Sequence, residues 1–179
     1  RKESSAASDV YKRQIQLRAI EPEDLELLYS IENNMSVWNV GMTNVPYSKF
    51  ALNEYLLNIK YDMYADRQVR LMVDNSEGKT IGIVDITDYD PRHNRAEVGI
   101  IIIDEYRRQG YATEVLQAVK EYAKNVIHLH KLYAVIDTNN TAALNTFLKA
   151  DFTEECILKD WLRGTNGYED AKQFAVYCD

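Results

Sequence analysis

Two cysteines, Cys156 and Cys178, are too few to build a disulfide framework into a chain of 179 residues, so a reducing compartment, the cytoplasm, is the expected setting. Three prolines and seven glycines are scattered rather than clustered, and no interdomain linker, internal repeat or low-complexity segment stands out. No run approaches about eighteen consecutive apolar residues, which leaves no candidate membrane-spanning helix. A net charge of −7 speaks against a nucleic-acid partner, because an acidic body repels phosphate backbones and suits cationic ligands.

With 46% hydrophobic residues, the chain can fill one full-sized core. The opening RKESSAASDVYKRQ has no apolar periodicity and lacks the apolar centre of an export signal. It is expected to be a disordered leader or a scar foreign to the natural protein, with a single domain over 15–179. Those fourteen residues carry four cations against two acids, so the remainder carries −9.

Strict alternation marks IQLRAI (15–20) as a strand, and Pro22 followed by early acids opens a helix over 22–34. Residues 35–48 hold Gly, Pro and several Asn and are expected to form a loop. In it, Trp38, with Tyr47 and with Phe50 beyond it, either lines an acceptor pocket or covers the core. Ser48 is placed to cap a helix running from Lys49 to about Tyr64. RLMVDN and KTIGIVDITDYD bracket SEGK as a hairpin, and after PRHN the run RAEVGIIII returns as a third adjacent strand. A helical stripe follows over 113–126, then a strand over 131–137, a helix over 141–149 and a hairpin closed by GTNG. Cys156 alternates with Ile157 and is expected to pack inward. The pattern is one mixed α/β (α+β) sheet flanked by helices.

The connection EYRRQGYATEVL (105–116) carries more than a turn needs. Helix N-terminal N–H groups are unpaired and sit at the positive end of the dipole, which suits a phosphate. Gly110 would let ligand oxygens approach the main chain, and Ala112 keeps the first turn uncrowded. Arg107 and Arg108 add attraction, and Gln109 offers a hydrogen bond. A solvated basic connection explains the same composition.

R-x-x-G-x-A between a strand and an amphipathic helix resembles the acetyl-CoA signature of the GNAT acetyltransferase superfamily, and NTAALNTFLKADF (140–152) resembles its Asn-containing helix. The runs ADRQVRLMVDNSEGKTIGIVDI and HNRAEVGIIIIDEYRRQGYAT are similar to bacterial spermidine N-acetyltransferases and share their pattern with enzymes that acetylate ribosomal-protein N-termini. The resemblance implies a sheet splayed between its fourth and fifth strands, acetyl-CoA as co-substrate and no metal. It implies that Ile100, Ile101 and Ile102 pair with pantetheine through their main chain. Arg107, Arg108, Gln109, Gly110, Tyr111, Ala112 and Thr113 would cradle the pyrophosphate, and Asn140 would contact the cofactor. It further implies a small-molecule or peptide amine as acceptor and a homo-oligomer, a dimer or larger.

An ammonium must lose a proton before it attacks a thioester, and a carboxylate can take it. Glu97 is the candidate base, with pairing to Arg95 or Arg92 as the alternative, and Asp85 and Asp88 are candidate acceptor ligands. As a carboxylate on an edge strand, either aspartate could instead deter aggregation. Three positions depart from the resemblance. Phe147 occupies the place of the family's general-acid tyrosine, Asp151 replaces the glycine before Phe152, and VWNVGMTNVPYSKF contains no carboxylate where the spermidine enzymes carry several. The expected activity is acetyl transfer to a primary amine; the alternative is a non-catalytic acyl-CoA-binding or sensing module.

Overall fold

A computed structural model describes residues 15–38 and 45–179, apart from the side chains of Val37 and Trp38. The leader and part of the expected 35–48 loop therefore lie outside the described residues. Strand β1 (Ile15–Ala19) leads through a 3-10 turn at Pro22–Asp24 into α1 (Leu25–Glu32), so the helix expected from Pro22 starts in the tighter form. Met35–Trp38 forms a helical turn, α2, where a loop was expected.

Ser48 does cap α3, its hydroxyl accepting from the Ala51 N–H at 3.0 Å, but α3 spans only Lys49–Asn58. Ile59 is already extended and Tyr61 has a φ of 54° in the left-handed region, which no helix tolerates. Asp62 then caps a separate turn, α4 (Met63–Asp66), by accepting from the Tyr64 N–H at 2.9 Å. The expectation of one helix to Tyr64 fails at that break.

Three antiparallel strands follow: β2 (Val69–Asn75), β3 (Thr80–Asp90) and β4 (Arg95–Ile102). Helix α5 (Tyr111–Tyr122) begins directly at Gly110, two residues before the expected stripe, and ends in a π-helical turn at Ala123–Ile127. Strand β5 (Lys131–Asp137), α6 (Thr141–Lys149), β6 (Thr153–Gly164) and β7 (Gly167–Tyr177) complete the chain. The seven-stranded sheet has the order β1-β2-β3-β4-β5-β7-β6, mostly antiparallel with one parallel pair, β4 with β5. Strand β3 is central, which removes the edge-strand explanation for its acids. Cys156 is exposed on the outer strand β6 rather than packed inward, whereas Cys178 is buried.

Alternation divides the sheet into two faces. Val84, Ile86, Ala96, Val98, Leu132 and Ala134 bury one face with Val115, Leu116 and Val119 of α5 and Phe147 of α6. Met72 and Ile83 on the opposite face pack beneath Leu28 and Ile31 of α1 and Leu52 and Leu56 of α3. Each fully buried aliphatic side chain contributes roughly 1.5–3 kcal/mol. Beyond α1 and α3 that second face carries Glu97, Tyr133 and Val135, the residues out of phase with the buried set. Among the described residues no helix is long and apolar enough to cross a membrane.

The parallel pairing of β4 and β5 covers only three positions, Arg95 with Lys131, Ala96 with Leu132 and Glu97 with Tyr133. Strand β4 stays paired with β3 out to Ile102, while β5 stays paired with β7 out to Asp137. The two halves of the sheet therefore part after Glu97 and leave a wedge between them.

Candidate active site

The phosphate-binding expectation rests on the backbone at the start of α5. Gly110 takes a φ of 87° as the residue before α5, and nothing lies within 4 Å of where a Cβ would stand. Arg108, two residues earlier, also has a positive φ of 60°. The first helical bond runs from the Glu114 N–H to the Gly110 carbonyl at 3.4 Å, and no side chain caps the helix. The N–H groups of Tyr111, Ala112 and Thr113 are thus left to an outside acceptor. Arg107 holds the loop: its Nε donates to the Ile102 carbonyl at 2.8 Å and its Nη1 pairs with Asp104 at 2.9 Å. Gln109 likewise donates inward, to the Glu105 carbonyl at 2.9 Å.

The edge of β4 facing the wedge is only partly as expected. The Ile103 N–H donates to the Ile81 carbonyl on β3, so by strand alternation the main chain of Ile101 also faces β3 and that of Ile100 and Ile102 faces the wedge. The Ile101 carbonyl lies against Gly82, where it would collide with any Cβ. Ile100 turns its main-chain groups to the wedge, as does Ile102, whose carbonyl already accepts from Arg107 Nε; Ile101 turns its own to β3, which corrects that expectation. Asn140 sits at the far lip of the wedge, after β5, and its Oδ1 caps α6 by accepting from the Ala143 N–H at 3.1 Å. Phe147 is 4% exposed and meets Phe152 edge-on with ring centres 5.0 Å apart.

At the apex of the wedge stands Glu97. The Val135 N–H, on the strand that has parted from β4, lies near enough to its carboxyl to favour the charged form. Burial and the nearby charge of Asp88 push it above the ordinary carboxylate range, against the lowering effect of that N–H. Arg95 pairs instead with Asp90 at 3.4 Å. Asp88 lies in the β3 irregularity between Thr87 and Asp90 with a φ of 50°. It lines a hollow of about 590 Å³ together with the acids Asp66 and Asp90, with Thr87 and Gln68, and with the cations Arg67 and Arg92. On the same face of β4 nothing lies within 4 Å of where a Gly99 Cβ would stand, so the approach to Glu97 stays open.

Asp85 is not part of that hollow. Arg70 Nε and Nη2 hold its two oxygens at 2.6 and 2.8 Å, and the same guanidinium bonds Glu32 and lies over the Tyr55 ring. Phe50 is 75% exposed and Tyr47 is partly so, while the Trp38 side chain lies outside the described residues. A second hollow of about 510 Å³, between α3 and the end of β1, contains none of the expected site residues. His130 is hydrogen-bonded to Asp179 and His128 to the Lys124 carbonyl. Among the described residues no group of His, Cys, Asp or Glu is arranged to hold a metal.

Arg70 and Tyr133 are the residues that reading the sequence missed. Tyr133 was legible in KLYAVID, where it falls out of phase with Leu132, Ala134 and Ile136. Arg70 carried no comparable signal, because its two partners lie 15 and 38 positions away.

The chain has known relatives in sequence and in fold. The Acetyltransferase (GNAT) domain family matches residues 14–153. The chain is 32% identical over 164 residues to the spermidine N(1)-acetyltransferase of Escherichia coli K12, covering 91% of this chain and 86% of that one. It is 28% identical to the Vibrio cholerae enzyme of the same name, covering 91% and 92%. A crystal structure of the V. cholerae spermidine N-acetyltransferase with CoA and spermine superposes at a TM-score of 0.82, with 25% identity over 93% of this chain and 96% of that one. The likeness runs along almost the whole length in both sequence and fold, and the chain belongs to the GNAT acetyltransferases, acyltransferases that use acetyl-CoA.

Proposed function

We propose that this enzyme acetylates a primary amine of a polyamine such as spermidine. The observation that carries the proposal is Glu97: a carboxyl at the apex of the wedge, raised by burial and by Asp88, which itself lines an open hollow. The named activity of the E. coli and V. cholerae relatives supports the substrate class. A substrate carrying several positive charges also suits a chain body of −9.

Acetyl-CoA supplies an activated acetyl thioester. The chain contributes the rest. The free N–H groups at the start of α5 and the left-handed backbone at Gly110 hold the pyrophosphate, with Arg108 adding charge. Ile100 and Ile102 align the pantetheine arm along β4. Asp88 draws the ammonium to the apex, and Glu97 takes its proton so that the nitrogen lone pair is available for attack. A base whose affinity for protons is raised accepts one from an ammonium more readily than an ordinary carboxylate does. Asn140 is proposed to steady the cofactor from the β5 side, and Trp38 to border the acceptor. The reaction is placed in the cytoplasm.

Thiol release from acetyl-CoA tests the reading, with spermidine, spermine, a short diamine and an N-terminal peptide as acceptors. Turnover with the polyamines is expected. Turnover with the peptide alone would move the enzyme to the protein N-terminus class.

A further inference from the structure

Position 147 offers a phenyl ring, and the apex of the wedge has a different aromatic neighbour. Tyr133 is the register partner of Glu97 at the last paired position before β4 and β5 diverge. Leu132 and Ala134 point into the core with Ala96 and Val98, so Tyr133 and Glu97 lie on the same, opposite face. The Val135 N–H near the Glu97 carboxyl comes from the same strand, two residues on. The carboxyl is therefore flanked by Asp88 on the β3 side and Tyr133 on the β5 side, with Gly99 leaving the remaining side open. On β7 the residue opposite Tyr133 is Ala175, too small to shield the apex itself.

We propose that Tyr133 is a positioning residue for acetyl transfer, acting through Glu97: its ring walls the carboxyl from water on the β5 side and keeps it at the apex of the wedge, toward Asp88. The inference rests on the assignment of Glu97 as the base. Desolvation is the largest influence raising both the Glu97 carboxyl and the Tyr133 phenol, as expected for two groups sharing one half-buried recess. The other charges near the pair are Asp88 and Asp90 from β3 and Arg95 from β4. Lys131, on β5, is held by Glu155. None of these changes in the variants below.

The experiment reads Glu97 directly. Its carboxyl titration is followed by NMR with isotope-labelled glutamate, assigned against Glu97→Gln, in the wild type, Tyr133→Ala and Tyr133→Phe. Alanine opens the recess, so the Glu97 titration is expected to fall toward the ordinary carboxylate value. Phenylalanine keeps the wall and is expected to leave it in place. With spermidine, Tyr133→Ala should lower kcat about tenfold, part of the 10²–10⁴ that a positioned base supplies. The acid limb of its pH profile should move to lower pH, and KM for acetyl-CoA should not change. If alanine does not fold, Tyr133→Thr keeps a strand-forming residue and makes the same opening. A Glu97 titration unmoved in the alanine or threonine variant, or moved equally by phenylalanine, overturns the inference. A shifted titration in a protein that turns over no polyamine upholds the positioning role and rejects the proposed substrate instead.

Discussion

Arg70 grips both oxygens of Asp85, at 2.6 and 2.8 Å, and bonds Glu32 with its remaining arm. A carboxylate so held is committed to the fold rather than to an incoming ammonium. Asp85→Asn is therefore expected to destabilise the protein by about 1–3 kcal/mol, the cost of weakening a charged hydrogen-bonded pair. At roughly 2–4 °C per kcal/mol, the loss is measurable as a lower Tm. KM for the amine should stay as in the wild type. A raised KM with an unchanged Tm would restore Asp85 as an acceptor ligand.

Glu97 ties activity and stability to pH in opposite directions. Its folded-state affinity for protons is raised, so the stability it contributes is full at low pH and is lost as pH rises through the raised value. Catalysis needs the deprotonated form, so the rate climbs through that same interval. Glu97→Gln should accordingly lower kcat by about 10²–10⁴-fold while raising Tm above that pH. Asp88→Asn removes one of the two causes of the shift and should move the acid limb of kcat/KM to lower pH. A limb that stays in place means that Asp88 does not act on Glu97.

Phe147 stands where the resemblance places a tyrosine, and it is buried in a mostly apolar cluster, edge-on to Phe152. In the free enzyme Phe147→Tyr should cost about 1–3 kcal/mol, read as a lower Tm, because the added hydroxyl is buried unpaired. Bound acetyl-CoA should recover part of that loss. kcat should rise by up to about 10²-fold, the low end for a positioned acid, since a thiol of pKa about 8.5 already leaves readily. Turnover that is unchanged or lower would show that position 147 does not face the leaving thiol.

Asp151 replaces a family glycine and still adopts the left-handed turn, with a φ of 66°. Its carboxylate is held by Gln117 Nε2 at 3.1 Å and Lys120 Nζ at 3.0 Å. Alanine would keep the Cβ that disfavours this backbone and lose both contacts, whereas glycine would lose only the contacts. Thermal melts should therefore place Asp151→Ala below Asp151→Gly. The reverse order would mean that the turn carries no strain.

Local chemistry in the sequence determined most of the elements and the left-handed turn into α5. Alternation marked β1, turn residues marked the two hairpins, Ser48 announced its helix, and Gly110 announced the turn into α5, because each of these depends on residues within one turn or one strand. The break at Tyr61 escaped, since apolar spacing over 49–64 reads as one helix until the left-handed residue is seen. Tertiary structure alone decided the direction of Ile101, the capture of Asp85 by Arg70 and the meeting of Glu97 with Tyr133. Glu97 and Tyr133 are 36 residues apart, and what joins them is the register of a three-position parallel pairing that then fails. Register is set by how whole faces of the sheet bury against α5, and no local stretch of either strand contains that information.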